Sequence, residues 1–229
     1  MPKHTLLILK KFSYDKSVLD SALKILSFDS KKEIESNFNS LVQIFFLKKD
    51  YATVTAMAEK HGAAFLKGSI KSYSNTDAWT CYRIGESYMD LGIPVKAVYY
   101  YKHAAQLAPY HLDILNKYAT ALSISGDTKN AKYVFEKLLE EYPKHVSALT
   151  NLGFLYLTVD NNPAKANECY AKAIQLNPDY EPLLLNRAGL FLYENNIVDA
   201  RKTLEYVLKL NPDNTQAKQI LSQLKQIHS

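Results

Sequence analysis

The 229 residues carry 47% hydrophobic and 22% charged side chains, the balance of a soluble globular protein rather than of a disordered or membrane-embedded one. The formal net charge of +5 divides into +4 over residues 1–77 (12 Lys against 8 acidic) and +1 over residues 78–229 (16 Lys plus Arg against 15 acidic), without the concentrated basic stripe of a nucleic-acid-binding module. The longest apolar runs, Thr5–Leu9 and Leu41–Leu47, are too short to span a bilayer, and Lys10 and Lys11 end the first with no small-residue cleavage pattern after them, so the expected location is cytoplasmic, without membrane insertion.

In chain order, residues 1–77 read as a divergent helical N-terminal region. Ser17–Leu26 puts Val18, Leu19, Ala22, Leu23, Ile25 and Leu26 on one helical stripe, Ser30 marks a helix start, and residues 1–34 thus predict one or two capping helices. Over about residues 35–68 a degenerate helix pair follows: Leu41, Val42 and Phe45 on the first helix, Asp50 and Tyr51 at the turn, Val54 and Ala58 on the second. It lacks a closing proline, and Gly68 stands as its stop. Trp79–Leu91 then carries Cys81, Ile84, Gly85 and Tyr88 at helical spacing, Gly92 breaks that helix, and Pro94 opens the next, where its missing N–H would have had no helical partner. Val95–Leu107 presents Ala97, Tyr101 and Ala104 on one side, and Pro109 ends it. Equivalent pairs are predicted in 112–145, 146–180 and 181–214, with Asp127 and Asp199 placed for helix starts. Residues 215–229 predict a capping helix, with Ala217, Ile220, Leu221 and Leu224 on one side and Gln or Lys elsewhere.

These elements recur with a fixed step. Pro109, Pro143, Pro178 and Pro212 are spaced by 34, 35 and 34 residues, and Ala97, Ala131, Ala166, Ala200 and Tyr101, Phe135, Tyr170, Leu204 keep the same series. Gly85, Ala119, Gly153, Ala188 and Tyr88, Leu122, Tyr156, Phe191 instead run 34, 34, 35. The one extra residue therefore lies between Tyr156 and Ala166, in the turn Val159 to Pro163, which is expected to bulge locally. Such a period marks a repeat array, whose short units bury their apolar faces only by stacking on neighbours. Small side chains let two antiparallel helices approach, and the bulky set fills the space between units.

With these residues in place, the pattern resembles the tetratricopeptide repeat, whose signature runs Leu-Gly, Tyr, Ala, Phe or Tyr, Ala and Pro at set offsets. Unit 78–111 carries Ile84-Gly85, Tyr88, Gly92, Ala97, Tyr101, Ala104 and Pro109; unit 146–180 carries Leu149, Leu152-Gly153, Tyr156, Ala166, Tyr170, Ala173 and Pro178. Units 112–145 and 181–214 depart mildly, with Leu138 and Val207 where a small residue is usual and Arg187 at an apolar slot. The resemblance implies an all-α fold, a right-handed α-solenoid of stacked antiparallel helix pairs with about 12 helices.

A search for chemistry returns no phosphate-cradling glycine loop, paired-His helix, calcium loop or CxxC. His4, His61, His103, His111, His145 and His228 do not pair at ligand spacing and are expected on the surface, while Cys81 and Cys169 are expected as small buried fillers rather than a disulfide. The expectation is a protein without catalytic activity, metal or cofactor. The resemblance directs attention to the concave face, lined by the first helix of each unit. Its slots hold Trp79, Tyr82, Arg83, Glu86 and Met89, then Asn116, Lys117, Thr120 and Ser123, then Thr150, Asn151, Phe154 and Leu157, then Leu185, Asn186 and Tyr193. Arg83, Lys117, Asn151 and Asn186 share one slot; in this family such a column can hydrogen-bond a bound peptide, Asn as donor and acceptor, Arg and Lys toward carboxylates. The family's terminal-carboxylate clamp is not supported, because Tyr82 and Glu86 stand where its first pair belongs. Consecutive Tyr99, Tyr100 and Tyr101 on one helix require at least one exposed ring.

The function expected is a protein-interaction scaffold or adaptor holding a partner peptide or segment in the groove, the contact set being Trp79, Tyr82, Arg83, Glu86, Asn116, Lys117, Thr120, Asn151, Phe154 and Asn186. The alternative is a structural subunit, or an assembly or secretion chaperone, docking through its outer faces and residues 1–77. The partner expected is protein, not nucleic acid, and homo-oligomer formation stays open.

Overall fold

The computed structural model describes residues 31–72 and 75–226. Within them lie eleven α-helices and no strand: α1 Lys31–Leu47, α2 Tyr51–Ser72, α3 Asn75–Asp90, α4 Pro94–Leu107, α5 Leu112–Ile124, α6 Thr128–Glu141, α7 Val146–Thr158, α8 Pro163–Leu176, α9 Glu181–Tyr193, α10 Ile197–Leu210 and α11 Thr215–Gln226. The all-α class expected from the repeat is the class found. The stripe Ser17–Leu26 and the start at Ser30 lie outside the described residues. Two compact units divide at the turn after α5, Met1–Gly126 and Asp127–Ser229. In the first unit α1 packs on α2 and α3, α3 on α4, and α4 on α5; in the second α6 packs on α7, α7 on α8 and α9, α9 on α10, and α10 on α11.

Helices stop where the proline ladder demands. α4, α6, α8 and α10 each end two residues before Pro109, Pro143, Pro178 and Pro212. The last N–H of each, on Ala108, Tyr142, Asn177 and Asn211, returns to Ala104, Leu138, Ala173 and Val207. Leu138 and Val207, the two large residues at this usually small slot, are buried, so the space around them is built for their volume. α2 has no such stop: it runs through Gly68 to Ser72, so this glycine does not end the helix. One helical glycine costs about 1 kcal/mol, too little to break a helix that is otherwise packed.

Four of the second helices open on a polar cap, whereas α4 starts from Ile93 without one and carries Pro94 in its first turn. Asp50, Asp127, Asn162 and Asn196 accept from the backbone N–H three residues on, at 3.1, 3.3, 3.0 and 3.2 Å, each cap worth about 1 kcal/mol. Within the turns before them, Lys49, Gly92, Gly126 and Asn195 adopt positive φ at the second residue after the helix end. Between α7 and α8 the turn has four residues, 159–162, where the equivalent turns have three, and the positive φ falls one residue later, at Asn161. The closing bond is nonetheless of the same kind: Ile93, Asn162 and Asn196 all donate to the residue at the same ladder position, Tyr88, Tyr156 and Phe191. The extra residue is thus absorbed in the turn, and both helices keep their register.

Close approach explains the small-and-large ladder. A Cβ added at Gly85 would stand 2.8 Å from Tyr101, and one at Gly153 would stand 2.5 Å from Tyr170. Tyr101 and Tyr170 are fully buried against those bare backbones. The sequence compensates in parallel: where the small slot is Ala119 or Ala188, the bulky slot is Phe135 or Leu204 rather than Tyr. The first unit's core gathers Phe38, Val42, Val54 and Ala58 with Ile84, Tyr88, Tyr100 and Tyr101. In the second, Leu149, Tyr170 and Leu183 form one cluster and Leu184, Leu204, Val207 and Leu221 another. Each fully buried Val, Leu, Ile or Phe among them contributes about 1.5–3 kcal/mol of burial. Of the three consecutive tyrosines, Tyr100 and Tyr101 are buried and Tyr99 is 52% exposed.

Candidate functional site

In the first unit the contact residues from α3 and α5 are largely committed to one another. Trp79 meets His111 edge-on at 4.7 Å and Tyr82 at 5.1 Å, and Tyr82 meets Tyr101 at 5.8 Å, so this aromatic chain is held by packing. Burial, and then the nearby negative charge of Glu86, push the Tyr82 phenol up to about 12. Glu86 accepts from the Tyr101 hydroxyl with one oxygen and from Lys117 Nζ, at 3.0 Å, with the other. The cation at Lys117 is therefore answered from within the chain. Arg83 is half-buried, and burial lowers the pKa of its guanidinium. The Asn116 Oδ1 is buried without a hydrogen-bond partner, while Thr120 Oγ1 donates to the Asn116 carbonyl at 2.8 Å. Glu86, Lys117 and Thr120, with Met89, Asp90 and Tyr101, surround a small cavity of about 200 Å³.

The second unit is different in kind. Phe154 from α7 and Asn186 from α9 come together around a cavity of about 470 Å³ that also involves Leu157, Thr158, Leu185, Gly189 and Tyr193, with Gln216 and Ile220 from α11. None of these side chains is charged. Phe154 is 43% exposed although it is a large apolar ring. Asn161, in the longer turn, accepts from the Tyr193 hydroxyl at 2.7 Å and fixes that ring at the rim. Asn151 is half-buried and does not line this cavity. The sequence missed Thr158, Gly189, Asn161, Gln216 and Ile220. Gly189 was within reach, since it occupies the ladder slot of Glu86, Thr120 and Phe154; Gln216 and Ile220 were hidden by reading α11 only as a cap.

Three of the histidines depart from the surface expectation, while His4 and His228 lie outside the described residues. His61 is buried in α2, His111 packs on Trp79, and His145 caps α7 by accepting from the Ala148 N–H at 3.1 Å. An imidazole serves here as ring and acceptor, which spacing alone does not reveal. Cys81 is buried and Cys169 half-buried, both as free thiols, and burial pushes them up to about 12 and about 11. Among the described residues no cluster of three or more His, Cys, Asp and Glu is arranged to hold a metal ion, and no helix is long and apolar enough to cross a membrane.

Family models of the tetratricopeptide repeat match residues 115–145 and 160–224. Among curated proteins, the chain is 30% identical over 181 residues to protein O-mannosyl-transferase TMTC1 of Homo sapiens, a match over 63% of this chain and 20% of that protein. It is 28% identical over 138 residues to protein O-mannosyl-transferase TMTC3 of Homo sapiens, over 59% of this chain and 14% of that protein. The matched stretch thus spans a fifth or less of these relatives' length. Among solved structures, TTC0263, a thermophilic TPR protein in Thermus thermophilus, superposes with a TM-score of 0.62 at 16% identity over 83% of this chain and 98% of that one. YrrB, a TPR protein with an unusual peptide-binding site, gives 0.54 at 14% identity over 96% and 98%. At these identities the likeness is one of fold, the right-handed helix-pair solenoid class. Repeats of this kind are protein-interaction scaffolds in general. With the residue ladder and the helix pairs in agreement with the two matched segments, residues 115–145 and 160–224 are tetratricopeptide repeats, the family that the residue pattern resembles.

Proposed function

We propose that the chain is a non-catalytic scaffold that seats a segment of a partner protein in the cavity formed by α7, α9 and α11. The observation that carries this reading is an uncharged concavity of about 470 Å³ holding a 43% exposed phenylalanine. Phe154, Leu157, Leu185 and Ile220 offer an apolar floor to an anchor side chain. Asn186 and Gln216, which also line the cavity, offer donors and acceptors to a peptide backbone. In the first unit the groove slots are partly consumed by the Tyr101, Glu86 and Lys117 contacts, which makes that face the weaker platform. The partner is protein rather than nucleic acid, as the spread of the +5 net charge supports. The transferase named in the human relatives is not carried over, because the match covers 20% or less of those proteins.

A second reading, docking as a subunit through outer faces, draws on Val95 and Tyr99 of α4, 69% and 52% exposed. One experiment separates the two. Partners are recovered with the full chain from its native cells and identified by mass spectrometry, and peptides tiled across the best partner are titrated against variants. Combined Phe154→Ala and Asn186→Ala should weaken binding about tenfold or more while Val95→Ser with Tyr99→Ser leaves it unchanged. The reverse pattern would move the site to the outer face.

A further inference from the structure

The second unit has another concavity, of about 580 Å³, on a different face of the same helix α7. Leu149, Leu152 and Tyr156 of α7 form its floor, with Leu139 at its side. Phe154 lies two residues from both Leu152 and Tyr156, about 200° round the helix, so α7 carries one cavity on each side.

The walls are helical stripes. α6 supplies Glu136, Leu139 and Glu140, and Pro143 follows at the same spacing; α8 supplies Lys165, Glu168, Cys169 and Lys172. Both sets step i, i+3, i+4, i+7, which spans two turns, about 10 Å. The walls differ in charge: α6 brings two carboxylates, of which Glu140 also pairs with Lys137 at 2.6 Å while both side chains stay more than half exposed, and α8 brings two ammonium groups and one carboxylate. Tyr156 bridges the floor to both, its hydroxyl donating to Glu136 at 2.9 Å while Lys165 Nζ sits 5.1 Å above its ring.

We infer that this outer groove of α6, α7 and α8 is a second docking site, and that its occupant is an amphipathic helix of a partner protein with basic residues along the edge over α6 and acidic residues along the edge over α8. An apolar floor between unlike charged walls asks for a ligand with one apolar face and two distinct polar edges. A helix presents three such directions; an extended strand, whose side chains alternate between two faces, does not. The two-turn stripes match the i, i+3, i+4, i+7 anchors of a helix. The site is independent of the α7, α9, α11 cavity, so the chain can join two ligands across one helix.

The test uses the full chain and a fluorescent designed helix of three heptads, with Leu on one face, Arg along one edge and Glu along the other. A control helix carries Glu on both edges. The mixed-edge helix should bind about tenfold tighter than the control, and Lys165→Glu with Lys172→Glu should reduce its affinity about tenfold while raising affinity for a helix with Arg on both edges. Half-buried Cys169 in the α8 wall is a built-in reporter, because buried Cys81 competes little for reagent; its alkylation by iodoacetamide should slow as the groove fills. Affinity indifferent to the charge reversal, or unchanged Cys169 alkylation in the complex, overturns the inference. Loss of the probe on the Phe154→Ala and Asn186→Ala chain also overturns it, by moving the helix to the other cavity, and leaves the proposed function standing. Failure of native peptides to need Phe154 would remove that function without touching this groove.

Discussion

Two tyrosines at one ladder position should respond in opposite directions to loss of the same atom. Tyr101 and Tyr170 are both fully buried, each against a glycine. The Tyr101 hydroxyl donates to Glu86, whereas the Tyr170 hydroxyl is buried without a partner. The residue at Glu86's ladder slot in the later repeat is Phe154, which offers no acceptor. Tyr101→Phe removes a hydrogen bond to a charged group, worth about 1.5–3 kcal/mol. Because the Glu86 side chain is 18% exposed and keeps Lys117 at 3.0 Å, the lower end, about 1.5 kcal/mol of destabilisation, is expected. Tyr170→Phe instead recovers the desolvation cost of an unmet hydroxyl, about 1–3 kcal/mol, offset by the contacts of one oxygen atom. A net gain of about 1 kcal/mol follows. At this chain length each kcal/mol moves the thermal midpoint by about 2–4 °C, so calorimetry should place the two variants on opposite sides of wild type. Denaturant midpoints at unchanged slope supply the second readout. A Tyr170→Phe chain destabilised by about 1 kcal/mol or more would refute the reasoning, since the hydroxyl must then have a partner, such as a bound water.

Glycines give a second pair of opposite signs. Gly153→Ala inserts a methyl 2.5 Å from the Tyr170 ring, and an overpacking cost of about 1–3 kcal/mol exceeds the helix-propensity gain of about 1, so thermal melts should show a net loss of about 1 kcal/mol. Gly189→Ala in α9 meets nothing within 4 Å and should stabilise by about 0.5–1 kcal/mol in the same melts. Alkaline pH should unfold the chain progressively. Burial raises the phenol pKa of Tyr82 and Tyr156 to about 12, from a usual value of 10.0, and raises those of Tyr100, Tyr101 and Tyr170 further. A raised folded-state pKa means that stability is intact below about pH 10 and falls above it, as the unfolded chain loses protons the fold retains. Each fully buried phenol adds about 1.4 kcal/mol per pH unit to the slope. Circular dichroism against pH, with tyrosinate absorbance alongside, checks this; helicity untouched well above about pH 10 would show that these rings ionise within the fold.

The fold was legible because its determinants repeat. Pro109, Pro143, Pro178 and Pro212 mark the helix ends, and comparing two ladders located the four-residue turn 159–162 from spacing alone. Less was legible where a residue acts once. Gly68 carries a breaker's chemistry but sits inside α2, where neighbouring turns hold it. His145 caps a helix in place of the usual Asp or Asn, a role set by the local turn rather than by residue type. Of the ten contact residues, Phe154 and Asn186 share one cavity and Glu86, Lys117 and Thr120 another, but spacing could not reveal that Glu86 and Lys117 answer each other. That depends on side-chain reach across helices, which a register fixes only to within a slot.

The slot of Glu86, Thr120, Phe154 and Gly189 shows how a variable position sets the character of the cavity beside it. The neighbouring ladder residues are fixed by packing: Tyr101 requires Gly85, and Tyr170 requires Gly153. This slot is under no such constraint, and its occupant sets the character of the adjoining cavity. An acid there satisfies Tyr101, recruits Lys117 and leaves a small charged hollow of about 200 Å³. A phenylalanine leaves Tyr170 unsatisfied and floors an uncharged hollow of about 470 Å³. Packing alone gives no reason to keep either an orphaned hydroxyl at Tyr170 or a 43% exposed ring at Phe154, because Tyr170→Phe would relieve the first and Phe154→Glu the second. An apolar binding floor would account for the exposed Phe154 ring alone; the Tyr170 hydroxyl is a separate cost that Tyr170→Phe removes without altering that floor, and the rise in stability expected of this variant measures it directly.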